Sequence, residues 1–408
     1  MKVEYHKDRF LNKLNRYLSL QIISAIILGI LFGLYFPSNA IQMQWVATLF
    51  VTIIRLFVPP IIFLTAITLF GGLEDLKSVG RITIKAILYF AAISITAISF
   101  GIGSALLIRP GKVDRKLFVD AIPNSLLENN HAEWVNLLIQ NGMLILLVVA
   151  IGMGLMINQS QRWHGTLHFL EKMRSAVMVT IRYVFVLAPL VTFSGIAYAV
   201  GRYGMDTLLP IGKMLAGTYL AMALFIFFIL GSILFLLKVN IIRFLGQIKN
   251  ELLYALGTSS SSSVIPLLME RLEAMGLKPS AVRLVTVTGN SLNLNGTCIY
   301  LGMAVIFLAQ LYEVTFSISE LLGIVMIILL TSKGATGIPG TGFLALVTTI
   351  SSIHRLPVEG LAILLSIDRF MSEARAITNT VGHGVAALII SREHHTQINI
   401  TNLKKEHY

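Results

Sequence analysis

Apolar runs of about twenty residues recur along this chain, and each is long enough for an α-helix to cross a hydrocarbon core of roughly 30 Å. They fall at 18–36, 45–70, 82–108, 135–157, 176–200 and 208–237, with two further helical stretches at 281–310 and 360–390. Composition agrees: 55% of the 408 residues are hydrophobic and 13% charged, where a soluble domain carries about 25% charge. The chain therefore reads as an all-α, polytopic membrane protein with eight transmembrane helices, and an ordinary soluble enzyme is excluded. In that setting the net charge of +12 reads as loop topology and not as nucleic-acid binding, because Lys and Arg concentrate in cytoplasmic loops. The single cysteine, Cys298, allows no internal disulfide and no cysteine metal cluster.

Residues 1–17 carry Lys2, Lys7, Arg9, Lys13 and Arg16 ahead of the first run. That run is too long for a signal peptide and has no small-residue cleavage site, so the N-terminus is expected in the cytoplasm. The connections alternate as the positive-inside rule requires. The stretch 37–44 is uncharged, whereas 74–85, 158–174 and 238–249 are basic; 109–134 is the one basic loop expected outside. Residues 391–408 read as a solvated cytoplasmic tail. The topology places both termini inside a bacterial inner membrane.

After Lys249 the regular spacing fails. Two short apolar segments, 252–256 and 264–269, flank Gly257-Thr258 and five serines, Ser259 to Ser263. The same figure recurs at 321–330 and 343–353, around Ser332-Lys333-Gly334-Ala335-Thr336-Gly337-Ile338-Pro339-Gly340-Thr341-Gly342. Each reads as a re-entrant hairpin of two half-helices, and counting helices makes the two hairpins inverted relative to one another. Broken helices in matching positions of inverted repeats point to a transporter's binding site. A serine run in a soluble chain is a linker, but irregular backbone at membrane depth is tolerated only in protein or a wet cavity. The half-helices beginning after Ser263 and Gly340 bring two N-termini to the tips, each worth roughly half a positive charge and suited to an anion. The glycine-rich second tip lacks the Gly-Lys-Ser/Thr ending of a nucleotide-binding loop, and no nucleotide or metal cofactor is required.

In the last helix Asp368, Ser372, Arg375, Asn379 and His383 recur at helical spacing and share one face. Arg375 lies about 22 Å from either helix end, too deep to reach a headgroup region. It is a functional candidate, the alternative being a structural ion pair with Asp368 or Glu373; Arg369 is the better-spaced partner for Glu373. Ser291, Asn293, Asn295 and Thr297 add amides and hydroxyls on the preceding helix, a composition also used as helix-to-helix glue.

These motifs, Gly257-Thr258-Ser259-Ser260-Ser261-Ser262-Ser263-Val264-Ile265-Pro266, Asn293-Leu294-Asn295-Gly296-Thr297, the second tip, and Asp368-Arg369-Phe370-Met371-Ser372-Glu373-Ala374-Arg375-Ala376-Ile377-Thr378-Asn379, resemble in order those of the glutamate and dicarboxylate:cation (sodium:dicarboxylate) symporters. Within that family they are most similar to bacterial C4-dicarboxylate transporters. The resemblance implies a homotrimer in which a scaffold, about 18–70 and 120–200, supports a transport part, about 81–108 and 208–390, that moves like an elevator. It places the substrate against Ser259, Ser260 and Ser261, against Ile338, Pro339 and Gly340, and against Thr297, Ser372, Arg375 and Asn379.

Amino-acid carriers of the family have an Asp three residues before the Arg, where this chain has Ser372. With Arg375 at +1 and the two half-helix N-termini together at about +1, a doubly charged dicarboxylate such as succinate, fumarate or malate is balanced without a carboxylate from the protein. The resemblance also implies sodium sites built on two carboxylates, at positions held here by Asn295 and His383. Hard cations prefer anionic oxygen, so proton coupling through His383, with Asn293 and Asn295 beside it, is expected instead; a neutral, hydrogen-bonded His383 is the alternative. A cation site made of second-tip carbonyls near Ser332 to Ala335 keeps sodium open. The rival readings are a sodium-coupled or exchanging carrier of amino acids or other organic acids, and a transport-inactive sensor or partner-binding homologue.

Overall fold

The computed structural model describes residues 18–72, 80–112, 142–158, 164–353, 355–357 and 360–392; the basic loops around 74–79 and 113–134 and both terminal segments lie outside them. Among the described residues the regular structure is helical, with no strand. Helices α1 (Leu18–Tyr35), α2 (Pro37–Gln42), α3 (Gln44–Gly71) and α4 (Gly80–Ile108) follow the first three apolar runs. The stretch expected as a loop at 37–44 is largely the short α2, started by Pro37 where a missing N–H costs nothing.

The next region departs from its apolar pattern. Helices α5 (Gly142–Asn158), α6 (His164–Phe185) and α7 (Ala188–Tyr203) replace the runs at 135–157 and 176–200. The second of those runs is bent by 49° between α6 and α7, where Pro189 removes the N–H that a continuous helix would need. Part of the basic loop expected at 158–174 is the beginning of α6. Helix α8 (Leu208–Leu224) passes through a π-helical turn at Phe225–Leu230 into α9 (Gly231–Leu236).

Helix α10 (Ile241–Gln247) is capped by Asn240, whose side chain accepts from the N–H groups of Ile242 and Arg243. Helix α11 (Lys249–Thr258) then stops at Ser259, which takes a left-handed φ of 52°. A 3-10 turn, Ser262–Val264, leads into α12 (Ile265–Ala274), with Pro266 in its first turn. Helices α13 (Pro279–Leu292) and α14 (Asn295–Leu311) correct the expectation of one continuous helix at 281–310. Asn293 and Leu294 leave helical geometry, with φ, ψ of −121°, 54° and −93°, 68°. The Asn293 amide donates instead to the Gly382 carbonyl at 3.1 Å, a contact between distant segments that periodicity does not report. Helix α15 (Ile318–Thr331) opens with a capping box between Ser317 and Glu320. The second tip follows, then α16 (Thr341–Ile353) and α17 (Leu361–Arg392).

Helix α17 is the central post, packed against α7, α8, α11, α13 and α14. Small residues set the closest crossings. A Cβ at Gly101 would lie 2.4 Å from the Ile299 carbonyl, and one at Gly302 would lie 2.8 Å from the Ile98 carbonyl, so α4 and α14 meet backbone to backbone. Large apolar side chains such as Leu107 and Phe235 project outward, as lipid-facing residues would. Among the described residues four helices are long and apolar enough to cross a membrane, and the bent α6–α7 pair makes a fifth. That measure does not recover all eight expected spans; α17 carries Asp368, Arg369, Glu373 and Arg375, and charge removes it from an apolar count. Gly101→Ala is expected to destabilise the protein by about 2 kcal/mol through overpacking, read as a lowered thermal unfolding midpoint in detergent.

Candidate functional site

The two tips touch. The Ser260 hydroxyl donates to the Gly337 carbonyl at 2.8 Å, and the Ser262 N–H donates to the same oxygen at 3.1 Å. A Cβ at Gly337 would come within 2.1 Å of Ser261 Oγ, so only glycine lets the tips meet. The second tip is held in shape by Thr341, whose hydroxyl lies 2.7 Å from the Ile338 carbonyl and 2.5 Å from that of Thr336. Gly340 has a positive φ of 86°, and a Cβ there would lie 2.8 Å from the Phe185 ring.

Beneath the tips, Ser259, Ser261, Thr297, Thr336, Gly337, Ile338, Gly342, Ser372, Arg375, Ala376 and Asn379 enclose a cavity of about 10 Å³, room for about one water. Arg375 is 4% exposed. Its Nη2 donates to Ser372 Oγ at 2.5 Å, and its guanidinium carbon sits 4.4 Å from the centre of the Tyr300 ring, a cation–π placement. A Cβ at Gly342 would meet Nη1 at 2.5 Å, so the first turn of α16 lies directly against the guanidinium. A helix N-terminus and a cation in such proximity repel one another and together attract an anion. The hydroxyls of Ser259, Ser261 and Thr336 are buried without hydrogen-bond partners. Such groups cost about 1–3 kcal/mol each unless something satisfies them, and here they ring the cavity. Asn379 is partly engaged: its Oδ1 accepts the Gly296 N–H at 2.8 Å, and its Nδ2 is 3.5 Å from Thr297 Oγ1.

The geometry corrects the charge count. Asp368 is 4% exposed, and its Oδ1 lies 3.1 Å from Arg375 Nη1. The two atoms form an ion pair by distance, yet neither has a well-angled hydrogen bond. A protein carboxylate therefore does stand beside Arg375, brought round by its place two turns earlier on the same helical face. Arg369 and Glu373 pair separately at 3.9 Å, as their spacing predicts.

Of the sequence-derived candidates, Ser259, Ser261, Thr297, Ile338, Ser372, Arg375 and Asn379 meet at the small cavity. Ser260, Pro339 and Gly340 face a larger cleft of about 660 Å³, shared with Phe185, Tyr254, Asp368 and Arg369. Ile338 and Ser372 line both spaces and form the partition between them. Asn293, Asn295 and His383 gather nearby and are all fully buried. Gly382 lies against Asn295 and Gly289 against His383 Nδ1. Both ring nitrogens of His383, both amide atoms of Asn295 and Oδ1 of Asn293 lack partners. Ser332 and Ala335 are buried at the other end of the second tip, where the Ala335 N–H donates to the Ser332 carbonyl at 3.1 Å. Sequence reasoning missed Thr336, Gly342 and Tyr300; Tyr300 stands one turn beyond Thr297, a spacing that could have suggested it.

A profile described as the sodium:dicarboxylate symporter family matches residues 18–393. The chain is similar to proteins named C4-dicarboxylate transport protein. That of Citrifermentans bemidjiense is 36% identical over 411 residues, covering 96% of this chain and 93% of the relative. The corresponding figures are 37%, 93% and 91% for Geobacter sp. strain M21, and 36%, 92% and 91% for Burkholderia pseudomallei strain 668. Gly337→Ala is expected to part the tips and raise amide hydrogen exchange across 257–263 and 335–341 by about tenfold or more, measured by mass spectrometry.

Proposed function

The chain belongs to the sodium:dicarboxylate symporter family, a family of membrane transporters, and we propose that it imports a C4-dicarboxylate such as succinate, fumarate or malate across a bacterial inner membrane with protons. The observation that carries this reading is the buried Arg375 guanidinium, set against the first turn of α16 and ringed by unpartnered hydroxyls. A carboxylate entering there accepts hydrogen bonds from Arg375 in the planar geometry that guanidinium favours, and takes over from Asp368 as its counter-charge.

The cavity is too small for such a guest, so a tip must withdraw to admit it. Ile338 and Ser372 stand between the site and the wide cleft, which makes the second tip at Ile338 the moving partition. After loading, the tips close again through Ser260, Ser262 and Gly337, and the loaded part is carried across as an elevator against a scaffold that holds a homotrimer. Eight spans, two inverted hairpins, cytoplasmic termini and the division into scaffold and transport parts belong to this proposal.

Asp368 changes the electrostatics of loading. Arg375 and two half-helix N-termini supply about +2, and Asp368 lowers that to about +1, one positive charge short of a dicarboxylate. A cation travelling with the substrate restores the balance. The cluster of Asn293, Asn295 and His383 offers neutral nitrogen and amide oxygen with no carboxylate, a poor set for a hard alkali ion, and the His383 imidazole is its one group that can take up a proton. Asp368 also supports a second reading, an amino-acid carrier in which this carboxylate meets a substrate ammonium. It borders the cleft and not the small cavity, and the position one turn before Arg375 is the neutral Ser372, so the dicarboxylate reading is preferred.

Uptake of labelled succinate into proteoliposomes tests this. An inward proton gradient is expected to drive it equally in sodium and choline buffers, with competition by fumarate and not by aspartate; a strict sodium requirement refutes proton coupling. Arg375→Ala is expected to lower uptake about a hundredfold or more, since breaking a buried charge pair costs about 2–5 kcal/mol. His383→Gln is expected to abolish stimulation by the pH gradient while succinate still raises the melting temperature of the purified protein.

A further inference from the structure

Lys333 lies in the second tip, yet its side chain takes no part in the cavity beneath Arg375. Its Nζ donates to the Leu292 carbonyl at 2.7 Å and to Ser94 Oγ at 3.0 Å. Leu292 is the last residue of α13, just before the chain unwinds at Asn293 and Leu294. Its carbonyl is thus one of those left without an intrahelical partner at a helix C-terminus, where the helix dipole is negative. Ser94, on α4, also lies 3.4 Å from that carbonyl. One ammonium thereby joins the second hairpin to α4 and to the break between α13 and α14.

The ligands are those a monovalent cation would choose: a main-chain carbonyl at a negative helix end and a hydroxyl, with no charged partner among them. We propose that Lys333 is a tethered cation, filling from within the second hairpin a cation position formed by the Leu292 carbonyl and Ser94 Oγ, so that closure of this tip needs no alkali ion there. The idea rests on the reading of the chain as a cation-coupled carrier. An alkali ion bridging these groups would have to bind before the tip closes. A lysine carried on the tip arrives with it, so closure at this point is independent of the sodium concentration.

Lys333→Met keeps an unbranched side chain one atom shorter and removes its charge. In the purified protein, NaCl against choline chloride is expected to raise the melting temperature of the variant more than that of the wild type. In proteoliposomes the variant's succinate uptake in choline is expected to fall about tenfold, the value of one hydrogen bond from a charged group, and to recover as sodium or lithium is added. Equal sodium shifts in the two proteins, uptake in choline equal to wild type, or a loss that no alkali ion restores would each overturn the proposal. Lys333→Gln makes the same test if the methionine variant does not fold; if neither folds, Ser94→Ala is expected to weaken closure without creating sodium dependence, and sodium dependence in it refutes the idea. The melting measurement uses no transported substrate, so it stands even if the wild type proves not to carry succinate.

Discussion

A guanidinium 4% exposed in the middle of a membrane protein cannot be left without negative charge, because desolvating an unpaired ion costs several kcal/mol. Around Arg375 the structure answers that requirement with Asp368 at 3.1 Å, the face of Tyr300 and the hydroxyl of Ser372. The arrangement holds the charge without saturating it. An ion pair that lacks good hydrogen-bond angles is one that a better acceptor can displace, and the first turn of α16 pressing on the same guanidinium raises the value of any anion that enters.

The backbone around that charge is irregular. Regular helices satisfy their own N–H and C=O groups and leave nothing to offer a guest. Here α11 ends at Thr258, α13 at Leu292 and α15 at Thr331, while α12 and α16 begin beside the tips. The interruptions turn backbone groups and small side chains inward, and glycine at 337 and 342 keeps them near enough to act together. The same economy sets the Lys333 ammonium against an interrupted helix end, where a fixed cation satisfies an orphan carbonyl.

Asp368 also alters how substrate charge and coupling relate. With no carboxylate at the site, a dicarboxylate would be neutralised by the protein alone and a coupling ion would add an excess. With Asp368 present, Arg375 and the two half-helix N-termini carry one positive charge fewer than a dicarboxylate's two negative ones. The fully buried imidazole of His383, with Asn293 and Asn295 beside it, is the titratable group of that cluster.

Membrane character, the helix breaks at the two tips and the polar face of α17 were legible in the chain, because each is a local pattern: an apolar run, a serine or glycine tip between short helices, a step of three or four residues. Arg375 and Ser372 could be singled out for the same reason. The unwinding at Asn293 and Leu294 could not, since it depends on the Gly382 carbonyl some ninety positions away. The bend between α6 and α7 was signalled only by Pro189. Asp368 stood on the right face in the sequence, yet whether it would turn toward Arg375 or toward the cleft is a matter of rotamer and packing. The reach of Lys333 to Ser94 joins residues 239 apart, a contact no period can encode. Local hydrophobicity and helical spacing thus determined what kind of protein this is, whereas tertiary packing alone decided which charges face each other at the site.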